Sequence, residues 1–402
     1  MNPVVDRKSM LGLGLGLAGA GVATVLGMTT DRLLRDRRTA IALDRDGDPG
    51  QYDVEPAETH LVLADDGVPL HVEVDLPSGR PAAAPSGSAV PTVVLSHGYT
   101  LSLRSWVFQR RALTAAGYRV VLWDQRGHGR SGTGPKAHYD VDQLGRDLGK
   151  VIDEVVPDGP IVLVGHSMGG MTMMALAVER PDIVRDRTVG AAFVSTSAGS
   201  LETVSWGLGS LLGRMVHRLG PPMVSRLAGR QTFVDEVRDR GREVESFLVD
   251  RYSFGSPVPL SVVRLTADMI FGTSMEVISA FLPTFDRHDK ADALKEFTGM
   301  ETLVLVGDQD LLTPASHSEE IIRNLPGAEF VLVADAGHII MLEHPELVSS
   351  QLEEFLTRVL RSAEPPVSEG EGLHGAGVRR EVTDLAKKRR DRSARSRGRS
   401  AS

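Results

Sequence analysis

No cysteine occurs among the 402 residues. That absence excludes disulfides, a thiol nucleophile, Cys-ligated zinc and iron–sulfur clusters. Metal-ligand spacing of the His-Glu-x-x-His kind is also missing, so no catalytic metal is expected. A working dinucleotide fingerprint is lacking as well. Gly127-His-Gly-Arg-Ser-Gly132 has the glycine spacing and follows an apolar run, but Thr133-Gly-Pro135 interrupts where a helix should open. Gly14-Leu-Gly-Leu-Ala-Gly19 has the spacing without a preceding strand. Neither nicotinamide nor flavin binding is expected, nor any other cofactor.

What is present fits a globular body, with 41% hydrophobic and 24% charged residues. The net charge of −8 conceals an asymmetry: from Arg379 onward ten basic residues face three acidic ones, so the rest of the chain carries about −15. The tail has nothing to build a core from and is expected to be disordered, either solvated or touching anionic lipid or nucleic acid. The acidic body argues against nucleic acid as the primary partner.

At the other end, residues 11–28 are uncharged and rich in Gly, Ala and Leu. Their length falls near the lower limit for a membrane-spanning helix, roughly 17–25 residues, and Gly12 and Gly16 form a G-x-x-x-G pair. No clear A-x-A-like cleavage site follows. An uncleaved anchor is the expectation. The arginines after the segment put the body on the cytoplasmic side by the positive-inside rule. The alternatives are a signal peptide removed from a secreted protein and a cytosolic or disordered extension.

Residues 29–58 read as a linker. His60–Ala64 and Leu70–Asp75 flank Asp65-Asp66-Gly67 as a hairpin, the second strand alternating with period two and so expected to have one wet face. Pro77 to Pro91 is a loop. Then come short continuous apolar runs: Thr92–Ser96, Val120–Trp123, Ile161–Val164, Val189–Val194, Thr302–Val306 and Glu329–Val333. Such runs suit strands buried on both faces of a parallel sheet. Helical stretches alternate with them: Trp106–Ala116, Gln143–Val156, Met171–Arg180, Ser318–Leu325 and Pro345–Leu360. The alternation predicts a doubly wound, mostly parallel α/β sheet. It breaks once, between Thr196 and Ala291, in a largely helical stretch with pieces at Trp206–Leu219, Val234–Tyr252 and Val262–Leu282. We read this stretch as a helical cap inserted over the carboxyl edge of the sheet, against the alternative of a separate helical domain. The expected boundaries are 1–58 for the anchor-like segment and linker, 59–196 and 291–361 for the two parts of the core, 197–290 for the cap, and 362–402 for the basic tail.

Gly165-His-Ser-Met-Gly-Gly170 lies between an apolar run and a helical one, the strand–turn–helix context of a nucleophile elbow. The bland reading is a small-residue turn. A serine needs a base to become a nucleophile and a third group to orient that base. Gly307-Asp-Gln-Asp310 leaves one later strand, and Ala334-Asp-Ala-Gly-His338 leaves the last.

In this order Ser…Asp…His, with His97-Gly-Tyr99 and Asp124-Gln-Arg-Gly-His-Gly-Arg-Ser131, residues 60–360 resemble the α/β-hydrolase fold superfamily, specifically its capped esterase and lipase-like members. The resemblance implies Ser167 as nucleophile, Asp310 as acid, His338 as base, and the backbone N–H groups of Tyr99 and Met168 as the oxyanion hole. Asp308 competes for the acid, but the family pattern favours Asp310 and leaves Asp308 facing solvent. His344 competes for the base and is expected to be a helix cap or surface residue. His166 is expected to pack and hydrogen-bond, and His97 and His128 to brace loops. The expected activity is hydrolysis of an ester with an apolar or lipid-like acyl part. A serine at 167 disfavours dehalogenase and epoxide-hydrolase chemistry, whose enzymes place aspartate there. Alternatives are a cofactor-free haloperoxidase (perhydrolase) or carbon–carbon bond hydrolase on the same triad, and, in another class, a non-catalytic ligand-binding receptor.

Overall fold

The six apolar runs become the inner strands of a nine-stranded sheet in the computed structural model of the protein, which describes residues 43–44, 52–84, 89–201, 252–362 and 378–400. The strands are β1 (Glu58–Leu63), β2 (Pro69–Asp75), β3 (Thr92–Ser96), β4 (Val120–Trp123), β5 (Ile161–His166), β6 (Thr188–Val194), β7 (Glu301–Gly307), β8 (Glu329–Val333) and β9 (Arg379–Val382). Their order across the sheet is β1-β2-β4-β3-β5-β6-β7-β8-β9. β2 pairs antiparallel with β1 and β4, and every other neighbour is parallel. The chain runs outward from β3 to β4 and then returns to the far side of β3 as β5. That reversal opens a crevice beyond the carboxyl ends of β3 and β5, the position where α/β sheets bind ligands.

The helices are α1 (Val107–Ala115), α2 (Val141–Val155), α3 (Met168–Glu179), α4 (Pro181–Arg187), α5 (Leu260–Gly272), α6 (Met275–Arg287), α7 (Ala315–Asn324), α8 (Ile340–Glu343), α9 (Pro345–Ser362) and α10 (Leu385–Ser400). Alternate strand residues serve the two faces. Val94, Val121, Leu163, Phe193 and Val304 join one core cluster with Leu148 of α2, Met173 of α3 and Ile321 of α7. On the opposite face a side chain at Gly190 would meet Phe355 and Val359 of α9. Strands covered on both sides need apolar residues at every position, which is why the runs are continuous.

By internal contacts the chain divides into two units: Asp48–Ser256 with Ser261–Leu385, and Met1–Gly47 with Pro257–Leu260 and Ala386–Ser402. The first holds the whole sheet. In the second, Lys387 Nζ donates to the Pro257 carbonyl at 2.6 Å and pairs with Asp391 at 3.2 Å.

Four expectations need correction. First, β2 has no wet face. His71, Glu73 and Asp75 are buried, because Arg110 of α1 reaches both carboxylates, Asp75 at 2.6 Å and Glu73 at 2.7 Å. Second, the Val262–Leu282 piece is two helices, not one. Gly272 ends α5, Ser274 accepts the Val277 N–H to start α6, and the pair is bent by 88°.

Third, the tail is not disordered throughout. Residues 379–382 add a parallel strand to β8, and residues 385–400 are helical. Backbone pairing supplies what the sequence pattern lacks. Arg379 bonds Glu319 at 3.0 Å and lies over the Phe330 ring, while Arg380 meets Glu329 and Glu354. Fourth, His344 caps a helix, closing α8, but is not a surface residue; it is buried, with Nδ1 3.3 Å from Asp384 and Nε2 3.4 Å from the Asp335 carbonyl oxygen.

The cap pieces Trp206–Leu219 and Val234–Tyr252 fall outside the described residues, apart from Tyr252, as do residues 11–28. Among the described residues no single helix is long and apolar enough to cross a membrane.

Candidate active site

Ser167 stands on the one-residue turn between β5 and α3, with φ +52° and ψ −118°. A serine there is strained and persists because its surroundings fix it. Its N–H bonds Val194 O at 2.9 Å, and its carbonyl oxygen accepts from Gly170 N and Thr196 Oγ1. The turn throws the hydroxyl clear of the sheet and toward the loop after β8.

His338 on that loop meets it. Ser167 Oγ lies 3.0 Å from His338 Nε2, and His338 Nδ1 lies 2.9 and 3.0 Å from the two Asp310 oxygens. A carboxylate accepts only, so Nδ1 carries the proton and Nε2 faces the hydroxyl as an acceptor. Asp310, on the loop after β7, is buried. Burial pushes its carboxyl up, but the His338 ring and the N–H groups of Thr313 and Leu312 outweigh this and hold it below the usual carboxylate range. The Thr313 hydroxyl adds a bond at 3.0 Å.

The structure therefore brings Ser167, His338 and Asp310 together in a line. Asp308 lies off it, accepting the Ala336 N–H at 3.3 Å and exposed to solvent. His344 is likewise absent from the line.

Tyr99 and Met168 flank the serine. Met168 begins α3, so its N–H is one of the first-turn donors a helix leaves unpaired. Tyr99 follows Gly98, which passes so close to the elbow that a Cβ would fall 2.6 Å from His166 Nδ1 and 3.2 Å from Ser167 Cβ. Among the described residues, neither the Tyr99 nor the Met168 N–H has an acceptor. Two unpaired donors on the segments next to the serine suit an anion forming there.

Three buried histidines hold these loops. His97 Nδ1 donates to Gly98 O and Nε2 accepts from Gln125 N; His128 Nδ1 donates to Arg126 O and Nε2 accepts from Thr100 N. Each pattern requires a neutral ring. Burial lowers both, His128 to about 4 and His97 well below its usual value. His166 donates Nε2–H to the His338 carbonyl oxygen at 2.9 Å, and burial takes it down to about 3.

Helix α6, from the stretch read as the cap, reaches this place. The Tyr99 hydroxyl donates to Ile278 O of α6 at 2.6 Å, and burial pushes that phenol far up. Phe281 and Phe285 of α6 set their rings at 6.1 and 5.0 Å from that of Tyr99. Residues 91–345 match the family described as the alpha/beta hydrolase fold.

The chain belongs to the α/β-hydrolase fold family. Among its similar proteins, this α/β-hydrolase is 26% identical over 275 residues to the mouse sn-1-specific diacylglycerol lipase ABHD11, covering 67% of this chain and 82% of that one. It is 28% identical over 314 residues to the polyketide synthase ThaQ of Burkholderia thailandensis, covering 76% of this chain but only 14% of the synthase. Among solved structures it superposes on a thermophilic esterase from Thermogutta terrifontis with TM-score 0.57 and 26% identity, over 75% of this chain and 99% of the other.

Sequence reasoning missed two residues that support the site. Gln125 was read only as part of a motif. Its side chain bridges His97 O to the Thr172 hydroxyl of α3, tying the Tyr99 loop to the elbow helix. Glu343, in α8, is buried beneath the His338 loop. Neither carries a signal of its own, since Gln125 bridges residues 28 and 47 positions away and Glu343 joins Gly337 to the Gly255 amide 88 positions away.

Proposed function

We propose that this α/β-hydrolase is a serine hydrolase that cleaves carboxylic esters with an apolar, lipid-like acyl part. The reading rests chiefly on one observation, the continuous line from Ser167 Oγ through His338 to Asp310, with the serine strained into it. In the reaction His338 Nε2 takes the hydroxyl proton while Oγ attacks the ester carbonyl. Asp310 holds the Nδ1 tautomer and stabilises the imidazolium. The N–H groups of Tyr99 and Met168 receive the oxyanion, a donor there being worth about 3–4 kcal/mol. The imidazolium protonates the leaving alcohol, and water activated by the same ring then hydrolyses the acyl-enzyme.

The apolar acyl preference is supported by the aromatic packing of Phe281 and Phe285 of α6 against Tyr99, the residue that follows Gly98 at the elbow. The likeness to a diacylglycerol lipase points the same way. A panel of p-nitrophenyl esters of graded chain length, run beside Ser167→Ala and a fluorophosphonate probe, tests the reading. We expect hydrolysis that rises with chain length, and both hydrolysis and labelling lost in the variant. Labelling that survives in Ser167→Ala would refute the nucleophile assignment.

A further inference from the structure

Glu343 is a buried carboxylate with no part in the line of Ser167, His338 and Asp310. Its side chain nonetheless gathers donors from two separate backbones. One oxygen accepts from the N–H and the hydroxyl of Ser256, both at 2.6 Å, and from Gly255 N at 3.0 Å. The other accepts from Gly337 N at 2.7 Å and is 3.1 Å from Gly255 N. Gly337 immediately precedes the base. Ser253–Ser256 belongs to the stretch read as the cap.

These two backbones touch without side chains between them. A Cβ at Gly255 would fall 2.8 Å from Ala336 C, and one at Gly337 would fall 2.6 Å from Gly255 N. One direct backbone bond joins them nearby, Ile339 N to Ser253 O at 2.9 Å. At this contact the amides of Gly255, Ser256 and Gly337 point at Glu343. All its partners named above are donors, which matches a carboxylate's acceptor-only chemistry. His344 Nε2 is 3.7 Å from the oxygen that Ser256 bonds.

We propose that Glu343 is a positioning residue for the base. By binding Gly337 N on one side and Gly255 and Ser256 on the other, it fixes the turn that presents His338 to Ser167 and locks that turn to the limb of the cap. This rests on His338 acting as the base of the proposed hydrolase. A turn released from this tether lets the imidazole drift, and a displacement near 1 Å costs roughly 100-fold in a positioned reaction. Substrate contacts are not involved, so binding is left alone.

The test uses the full chain with Glu343→Gln and Glu343→Ala. Glutamine keeps one acceptor oxygen for the Ser256 side but turns an amide N–H toward the Gly337 N–H. Three readouts are compared: kcat and KM on a p-nitrophenyl ester, counted per active site by fluorophosphonate titration; the thermal midpoint; and the downfield proton resonance of His338 Nδ1–H, assigned by its loss in His338→Gln. We expect kcat to fall roughly 10- to 100-fold in the alanine variant and less in the glutamine variant, with KM within about twofold. The Nδ1–H resonance should broaden or disappear in step. Should the alanine variant fail to fold, the glutamine variant decides alone. A kcat per active site within about twofold of the parent, with the resonance unmoved, overturns the proposal. The resonance also separates the two readings: a parent protein that hydrolyses no ester refutes the hydrolase, while a resonance lost on substitution at Glu343 still reports the tether.

Discussion

The His166 and His338 rings lie 4.9 Å apart, and the first donates its Nε2–H to the carbonyl oxygen of the second. A residue of the elbow thus grips the backbone of the loop that carries His338, the proposed base. Replacing His166 with alanine removes both the ring contact and the donor. We expect kcat to fall by roughly tenfold or more with KM little changed, because the loss concerns alignment. Steady-state kinetics on a short ester measures the split; an unchanged kcat would show that the grip is dispensable.

The same buried rings make stability depend on pH. His128 and His166 have folded values of about 4 and about 3 against an ordinary 6.5. Between those limits the unfolded chain binds the proton and the folded one does not. Stability is therefore full above about pH 6.5 and falls as pH drops below it, until the folded values are passed. Each ring should cost about 2 kcal/mol between pH 7 and pH 5. Asp310, held low when folded, adds a loss only at still lower pH, below the ordinary carboxylate value. Denaturant unfolding at a series of pH values tests the sign. A flat profile from pH 7 to 5 would contradict it, and His128→Gln should shallow the slope.

How much could be read in advance followed from the range of the interactions. The inner strands and the Ser167, Asp310 and His338 segments were legible because apolar runs and elbow spacing are local patterns. β2 misled because Glu73 and Asp75 look like a solvent face until Arg110, more than thirty residues on, arrives to neutralise them. β9 was invisible for a related reason. Arg379-Arg-Glu-Val382 has no strand signature of its own and becomes a strand through the β8 backbone and the glutamates around it. Glu343 and Gln125 likewise take their meaning from partners 6 to 88 and 28 to 47 residues away.

Ending the chain after residue 362 should therefore destabilise the core. It removes the β8–β9 ladder and leaves His344 buried without Asp384. Each lost hydrogen bond is worth about 1 kcal/mol and an orphaned buried group costs more, so a loss of about 2–4 kcal/mol is expected. Urea unfolding of the two proteins gives the difference directly; equal midpoints would show that the strand is ornamental.

Residues 11–28 are proposed to hold the enzyme at a membrane, close to a lipid ester. Expressed with residues 1–28 present, the protein should sediment with membranes, resist extraction by high salt and come off in mild detergent. Release by salt alone would count against an anchor, and recovery of a shortened chain from the medium would favour the signal-peptide alternative.

β9 bears on how copies of this protein meet. An uncovered parallel strand offers a row of free amides and carbonyls on which a neighbouring chain can extend the sheet. Here the chain closes β8 itself and finishes the sheet with Arg379, Arg380 and Glu381, charged residues that discourage another strand from docking. This charged edge is expected to guard against aggregation, and a protein deprived of it should precipitate at concentrations the intact chain tolerates.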